Sequence, residues 1–193
     1  MNGKIAGYGG VAIATHWLTA VLVVVAFILG PGGSEARVYS AAKDFDRAWH
    51  EVLGLTVLLL TVLRLLWKIK HPAPQLPPSP RWMHIVSKAV QGILYLLLVL
   101  VPLTAIAGAW LGGHPLTLGV LGEVAPLIPE RKPLGHNVAE LHTWLGDTIV
   151  WVAGLHAVAA LFHHFVLRDG VLMAMLPAGW RAGLASRRPF PRR

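Results

Sequence analysis

The sequence contains no cysteine, and that absence removes whole classes of chemistry. Its 193 residues offer no thiol to bind zinc, hold an iron–sulfur cluster, act as a nucleophile or attach haem through a C-x-x-C-H motif. Charged residues are also scarce, at 13%, while 55% of the chain is hydrophobic. A soluble domain of this size needs a more charged surface, so the composition indicates a membrane protein. Any metal chemistry must use the ten histidines.

The apolar residues form four blocks, each long enough to cross a membrane. A transmembrane helix needs about 20 apolar residues, and the qualifying blocks are residues 11–30, 50–69, 84–111 and 141–167. The first is treated as a retained helix rather than a cleaved signal peptide, because it is long and contains His16 and Trp17. In the third, Pro102 predicts a bend and not a break. The sequence thus predicts an all-α protein that forms a four-helix membrane bundle.

Basic residues concentrate on one predicted side of the membrane. With both termini cytoplasmic, that side holds twelve Lys and Arg residues and one acid, and the outer side holds five basic and eight acidic residues. The sides then carry +11 and −3, which satisfies the positive-inside rule. The charge indicates orientation and contact with membrane lipid, not nucleic-acid binding. We expect one transmembrane domain over residues 1–175, a basic cytoplasmic tail over 176–193, and outer loops at about 31–49 and 112–140.

Four histidines fall at two matching depths in the predicted helices. His16 and His156 lie near the cytoplasmic ends of the first and fourth helices. His50 and His142 open the second and fourth helices at the outer surface. Positions 142 and 156 are 14 residues apart, which is about 21 Å along a helix and nearly four whole turns. Both side chains therefore leave the same face of the fourth helix, one toward each membrane surface.

Paired histidines at matching depth favour two haems b, each held by two imidazoles. We expect His16 and His156 to be the axial pair of an inner haem (the inner pair). His50 and His142 are then the axial pair of an outer haem (the outer pair). A single membrane histidine is better explained by an interhelical hydrogen bond, so only the pairing favours haem. Two imidazole ligands leave no open coordination position, which favours electron transfer across the membrane over oxygen binding.

Other polar or small residues near these histidines have open interpretations. Gly54 and Gly146 each lie one turn after an outer-pair histidine, where a missing side chain either lets a flat macrocycle approach or serves helix packing. Arg64 either extends to the membrane interface or pairs with a haem propionate. His163 and His164 are candidates for protonating a quinone or binding a propionate, and otherwise reach water. The same ambiguity holds for His84, while three further histidines are expected in loops without a role, namely His71, His114 and His136.

Six stretches spread over nearly the whole chain carry a family resemblance. They are "ATHWLTA", "HEVLGLTVLLLTVLRLLWK", "PAPQLPP", "ILYLLLVLVPL", "LHTWLGD" and "GLHAVAALFHHFVLRDGVLMAMLP". On these residues the chain resembles the bacterial cytochrome b561 family of small four-helix dihaem membrane proteins. The resemblance implies haem ligation by the same four histidines that depth matching selects. It also implies an inner-membrane location and electron exchange with ubiquinone, and some members are described as oxidising superoxide.

Two features of the sequence depart from what the resemblance implies. Family members commonly have a histidine nine residues after a tryptophan in the third helix, where this chain has Gln91 after Trp82. That exchange removes support for a quinone or proton role at this position. Superoxide is an anion, and an outer side of −3 with only Arg131 and Lys132 as a local basic pair gives no support for steering it.

Two alternative functions stay open. A cytochrome b subunit would anchor a separate dehydrogenase or hydrogenase and relay its electrons, and the short loops suit that role. If the protein is not such a subunit, we expect its electron donor to be a periplasmic or membrane redox protein. A histidine-lined metal transporter ranks lower, because transport sites gather ligands near the bilayer midplane, whereas these histidines lie toward both surfaces.

Overall fold

The computed structural model describes residues 7–71, 74, 80–177 and 179–181. Its four long helices are α1 (Gly10–Leu29), α3 (Asp44–Lys70), α4 (Arg81–Leu111) and α5 (Lys132–Phe162). The shorter elements are α2 (Glu35–Val38), β1 (Leu116–Thr117), a 3-10 turn (Gly119–Leu121), β2 (Glu123–Val124), a π-helical turn (His163–Leu167) and α6 (Val171–Ala174). Strands β1 and β2 pair antiparallel, with Leu116 opposite Val124.

The four long helices confirm the predicted membrane spans. Each is long and apolar enough to cross a bilayer, with the fourth span running from Lys132 to Leu167. Much of their apolar surface points away from the protein, and Ile28 and Trp151 are 72% and 75% exposed. Such a surface suits contact with lipid tails. Helix α4 continues through Pro102 without a break, as expected.

The outer loops are shorter than the sequence predicted, because two helices begin earlier. Helix α3 starts at Asp44, where acidic residues suit the positive end of the helix dipole. Helix α5 starts at Lys132, with a proline in its first turn. The expected loops at 31–49 and 112–140 were therefore wrong at their C-terminal ends, and His136 lies in α5 and not in a loop. Most of the predicted tail over 176–193 lies outside the described residues.

The long helices pack as two hairpins. Helix α1 lies against α3, α4 lies against α5, and α3 joins the two pairs through α4. In the part of the chain that the structure describes, α5 packs along neither α1 nor α3. A cleft therefore separates α5 from the first two long helices, and its floor is a buried apolar cluster of Val57, Leu97, Leu98 and Ile149.

Gly135 marks the closest approach between α5 and the end of α4. A Cβ atom there would lie 2.7 Å from the backbone nitrogen of Gly112 and 2.8 Å from the carbonyl carbon of Leu111. Neither backbone atom can move without shifting α4, so only glycine fits this crossing.

Substituting Gly135→Ala should therefore destabilise the protein by about 1–3 kcal/mol, through overpacking against backbone. Gly92→Ala is the matched control, because a Cβ atom at Gly92 meets nothing within 4 Å. Thermal unfolding followed by circular dichroism in detergent measures both. Equal midpoints for the two variants would contradict the close crossing.

Candidate functional site

The outer pair bridges the cleft between α3 and α5. The ring centres of His50 and His142 lie 5.9 Å apart, and their planes are inclined by 85°. Neither ring packs face to face on the other, so the contact is not an aromatic stack. The two imidazoles thus approach each other from α3 and α5.

Each imidazole of the outer pair is oriented by a backbone carbonyl. His50 Nδ1 lies 2.7 Å from the carbonyl oxygen of Ala26, and His142 Nδ1 lies 2.9 Å from that of Val101. Ala26 belongs to the last turn of α1, whose carbonyls lack helical partners and accept other donors. A carbonyl only accepts, so each Nδ1 carries the proton and each Nε2 keeps its lone pair. Metal-binding histidines are typically oriented in this way.

An apolar cavity adjoins these lone pairs. Its empty space is about 770 Å³, a volume that includes the solvent at its open side. Its lining is apolar apart from His50, Glu51 and His142. Gly54 and Gly146 also line it, and a Cβ atom added at either glycine would meet nothing within 4 Å. Both glycines therefore leave open space in the cavity rather than room for a neighbouring helix.

The donor set fits a haem iron. A metal bound about 2.0–2.1 Å from one nitrogen of each of two opposed imidazoles places the ring centres roughly 6.3–6.5 Å apart, about half an ångström more than the observed 5.9 Å. In the part of the chain described here, no three His, Asp or Glu side chains gather as they would around a bare metal ion. The protein thus supplies two nitrogens beside an apolar cavity, which suits a macrocycle that brings its own four.

The inner pair lies at a second level of the bundle, together with Arg64. Arg64 follows His50 by 14 residues, the same interval that separates His142 from His156. Helix α3 therefore presents Arg64 on its His50 face, at the depth of the inner pair. Arg64 lies within electrostatic range of His156, and its Nη2 lies 3.1 Å from His16 Nδ1.

His16 is oriented differently from the outer-pair histidines. A guanidinium only donates, so His16 Nδ1 accepts the hydrogen bond from Arg64 and a neutral ring carries its proton on Nε2. Ligation of iron through Nε2 requires the proton on Nδ1 instead. The inner pair therefore fits a haem when Arg64 has another acceptor.

An apolar layer separates the two levels. Val57 lies seven residues from both His50 and Arg64, and Ile149 lies seven residues from both His142 and His156. Both are buried, with 5% and 6% exposure, and they pack in one cluster. The polar groups of the two levels are thus kept about 20 Å apart along the helices by residues that hold no charge.

A charged network above the outer pair was missed by the sequence reasoning. Glu51 accepts hydrogen bonds from Arg47 at 3.0 Å and from the backbone N–H of Thr117 at 2.7 Å, which fixes β1 over the cavity. Burial raises the pKa of Tyr39, which lies beneath Arg47, to about 12. The four-residue spacing of Arg47 and Glu51 was the available signal for this ion pair.

His114 was assigned no role by the sequence, but the structure gives it two contacts. Its ring stacks on Tyr39, with ring centres 3.4 Å apart, and its Nε2 lies 2.7 Å from a carboxylate oxygen of Glu35. This hydrogen bond lowers the pKa of Glu35. His114 thus ties the loop before β1 to α2.

Beyond the inner pair, the π-helical turn contains the two adjacent histidines of the sequence prediction. His163 Nδ1 hydrogen-bonds to the carboxylate of Asp169, which also accepts the backbone N–H of Val171. His164 Nδ1 is buried without a hydrogen-bond partner among the described residues. His163 lies seven residues after His156 and so on the same face of the span.

Filling the cavity tests whether it holds the macrocycle. Gly146→Leu should lower the bound haem by about one per chain, because its side chain would occupy the space beside His142. Gly92→Leu is the control, because it adds the same bulk where nothing lies within 4 Å and outside the cavity lining. Haem per chain is measured by the pyridine haemochrome method. Full haem content in folded Gly146→Leu protein would contradict the assignment.

Comparison with known proteins agrees with this geometry. The sequence model of the prokaryotic cytochrome b561 family matches residues 7–178. "Probable superoxide oxidase CybB" of Yersinia pestis is 30% identical over 177 residues, covering 88% of this chain and 96% of that protein. "Cytochrome b562" of Cereibacter sphaeroides is 31% identical over 176 residues, covering 88% and 95%. "Cytochrome b561 homolog 2" of Escherichia coli strain K12 is 27% identical over 170 residues, covering 88% and 90%.

The family match covers all four long helices and both histidine pairs. It confirms the resemblance drawn from the sequence, and the family name implies haem b as the cofactor. The chain therefore belongs to the prokaryotic cytochrome b561 family of multi-pass membrane proteins.

Proposed function

We propose that this protein is a dihaem cytochrome b of the bacterial inner membrane that exchanges electrons between the outer side and the quinone pool. The observation that carries the proposal is the outer pair. Both of its imidazoles have Nδ1 fixed by a backbone carbonyl, their ring centres lie 5.9 Å apart, and both face the same apolar cavity. His16 and His156 would hold the second haem, at the depth of Arg64.

The chain's own residues serve positioning and insulation. A haem b held by these histidines would supply single-electron exchange. Ala26 and Val101 keep the outer imidazoles in the tautomer that ligates iron. Val57 and Ile149 keep water and charge out of the layer between the two levels.

We place ubiquinone exchange at the inner end, beside the π-helical turn. Reduction of ubiquinone to ubiquinol takes two electrons and two protons. His163 is held by Asp169, and its side chain is 22% exposed, so it is partly open to solvent two turns beyond His156. An imidazole can release and take up a proton at a ring nitrogen. His163 is therefore the proposed proton donor.

The outer electron donor is proposed to be a redox protein and not superoxide, which is a small diffusing anion. The Yersinia pestis relative is named a probable superoxide oxidase, which makes superoxide a candidate donor here. In the local basic pair of Arg131 and Lys132, Lys132 lies 3.4 Å from the Glu130 carboxylate. Its charge is thus partly compensated, and we expect no strong steering of superoxide.

Replacing one inner ligand separates the two haems. His156→Ala should lower haem content from about two per chain to about one, because the outer pair remains intact. Ubiquinol should reduce the remaining haem more slowly than it reduces the wild-type protein, because electron transfer through the inner haem is missing. His71→Ala is the control, because His71 is exposed just after the end of α3 and belongs to neither pair. Visible spectra of the oxidised proteins in lipid nanodiscs, recorded before and after ubiquinol addition, measure both effects.

Loss of both haems from folded His156→Ala protein would contradict the pairing. Rapid ubiquinol reduction of its remaining haem would contradict the route through the inner level. If the wild-type chain is reduced only when a co-purified soluble protein is added, the anchor-subunit alternative is correct instead.

A further inference from the structure

Two cations of α3 flank one aromatic ring of α4 at the inner level. The Cζ atom of Arg64 lies 5.5 Å from the ring centre of Tyr95, and Nζ of Lys68 lies 4.9 Å from the same centre. Four residues separate the cations, so they occupy successive turns of one helix face. The ring attracts both charges, but two like charges so close together also repel each other.

No Asp or Glu side chain forms an ion pair with these two cations in the described part of the chain. The sequence has nine Asp and Glu residues, and all nine lie in the described part of the chain. None of them forms an ion pair with Arg64 or Lys68 there. The only acid on the predicted inner side, Asp169, is already bonded to His163. Two positive charges therefore converge at a place where no Asp or Glu side chain lies in ion-pair contact with them.

Arg64 is directed toward the inner pair rather than toward lipid. It is half-buried, and its Nη2 touches the ring of His16. Lys68 is exposed, one turn closer to the membrane surface. An anion that meets both must therefore extend from beside the His16 ring to the edge of the bundle. A lipid headgroup would reach Lys68 but would have to pass between the helices to reach Arg64.

We propose that Arg64 and Lys68 form a carboxylate-binding site that takes a propionate of the inner haem, an inference that rests on the proposed function. Arg64 presents a planar fork that suits a carboxylate, and Lys68 adds a second charge. The carboxylate would replace His16 as the hydrogen-bond acceptor of Arg64. His16 then carries its proton on Nδ1 and presents the Nε2 lone pair, as the outer-pair histidines do.

Haem dimethyl ester tests this site, because it keeps the macrocycle and iron and lacks both carboxylates. The full-length protein is stripped of haem in detergent and titrated with haem or with the ester, and inner and outer binding are followed by their visible spectra. His156→Ala protein identifies the outer signal. We expect the ester to bind the inner site about 10- to 100-fold more weakly than haem, as for loss of charge-assisted hydrogen bonds.

Variants assign the effect to the two cations. Arg64→Gln and Lys68→Gln should each weaken inner haem binding and reduce the preference for haem over the ester. Lys70→Gln is the matched control, because it removes one exposed charge from the same helix end on another face. The outer haem reports folding in every variant. We expect haem binding by His50 and His142 to survive, while the preference of the inner site for haem over the ester falls.

Equal inner affinities of the wild-type protein for haem and its ester would overturn the carboxylate site. The carboxylate site would also be overturned if Arg64→Gln lowered the inner affinity for haem and for the ester equally, because that result would show a general packing role. The effect of Lys68→Gln is also compared in phosphatidylglycerol and in phosphatidylcholine. If that effect depends on the lipid, and if the protein does not prefer haem over the ester, the cations bind lipid headgroups instead. Fewer than two haems in the wild-type protein refutes the proposed function instead, so the two failures are distinguishable.

Discussion

The fold depends on keeping polar imidazoles inside an apolar bundle in one orientation. An unpartnered imidazole in a membrane is costly, and a freely rotating one is a poor ligand. Backbone carbonyls of Ala26 and Val101 solve both problems at the outer level, because each satisfies one ring nitrogen and directs the other toward the cavity. Both acceptors come from helices other than the ligand's own, so the packing of α1 on α3 and of α4 on α5 fixes the site.

A seven-residue interval then organises the whole length of the bundle. On α5 it runs through His142, Ile149 and His156, and on α3 through His50, Val57 and Arg64. Seven residues are close to two turns, so each series keeps to one face. The series place polar groups at two levels and apolar side chains midway. Helix α3 contributes an arginine at the level where α5 contributes its second histidine, and the inner level therefore has a different charge from the outer one.

Much of this was accessible from the sequence, because it follows from periodicity and hydropathy. The four spans and the matching depths of the histidines follow from hydropathy and from spacing along single helices, and the family follows from the resemblance of six stretches of sequence. What sequence could not give depends on contacts between distant segments: the carbonyl acceptors Ala26 and Val101, the contact of Arg64 with His16, and the hairpin held over the cavity by Glu51. The starts of α3 and α5 were missed because their first turns are polar and resemble loop sequence.

We propose that two pairs of histidines each hold one haem b. The most direct test of this proposal is a count of haem per chain in the purified wild-type protein, combined with oxidised and reduced visible spectra. The account predicts two non-covalent haems b per chain, both low-spin in each oxidation state, because each iron has two imidazole ligands. One haem per chain, or a high-spin signal from either haem at full occupancy, would contradict it.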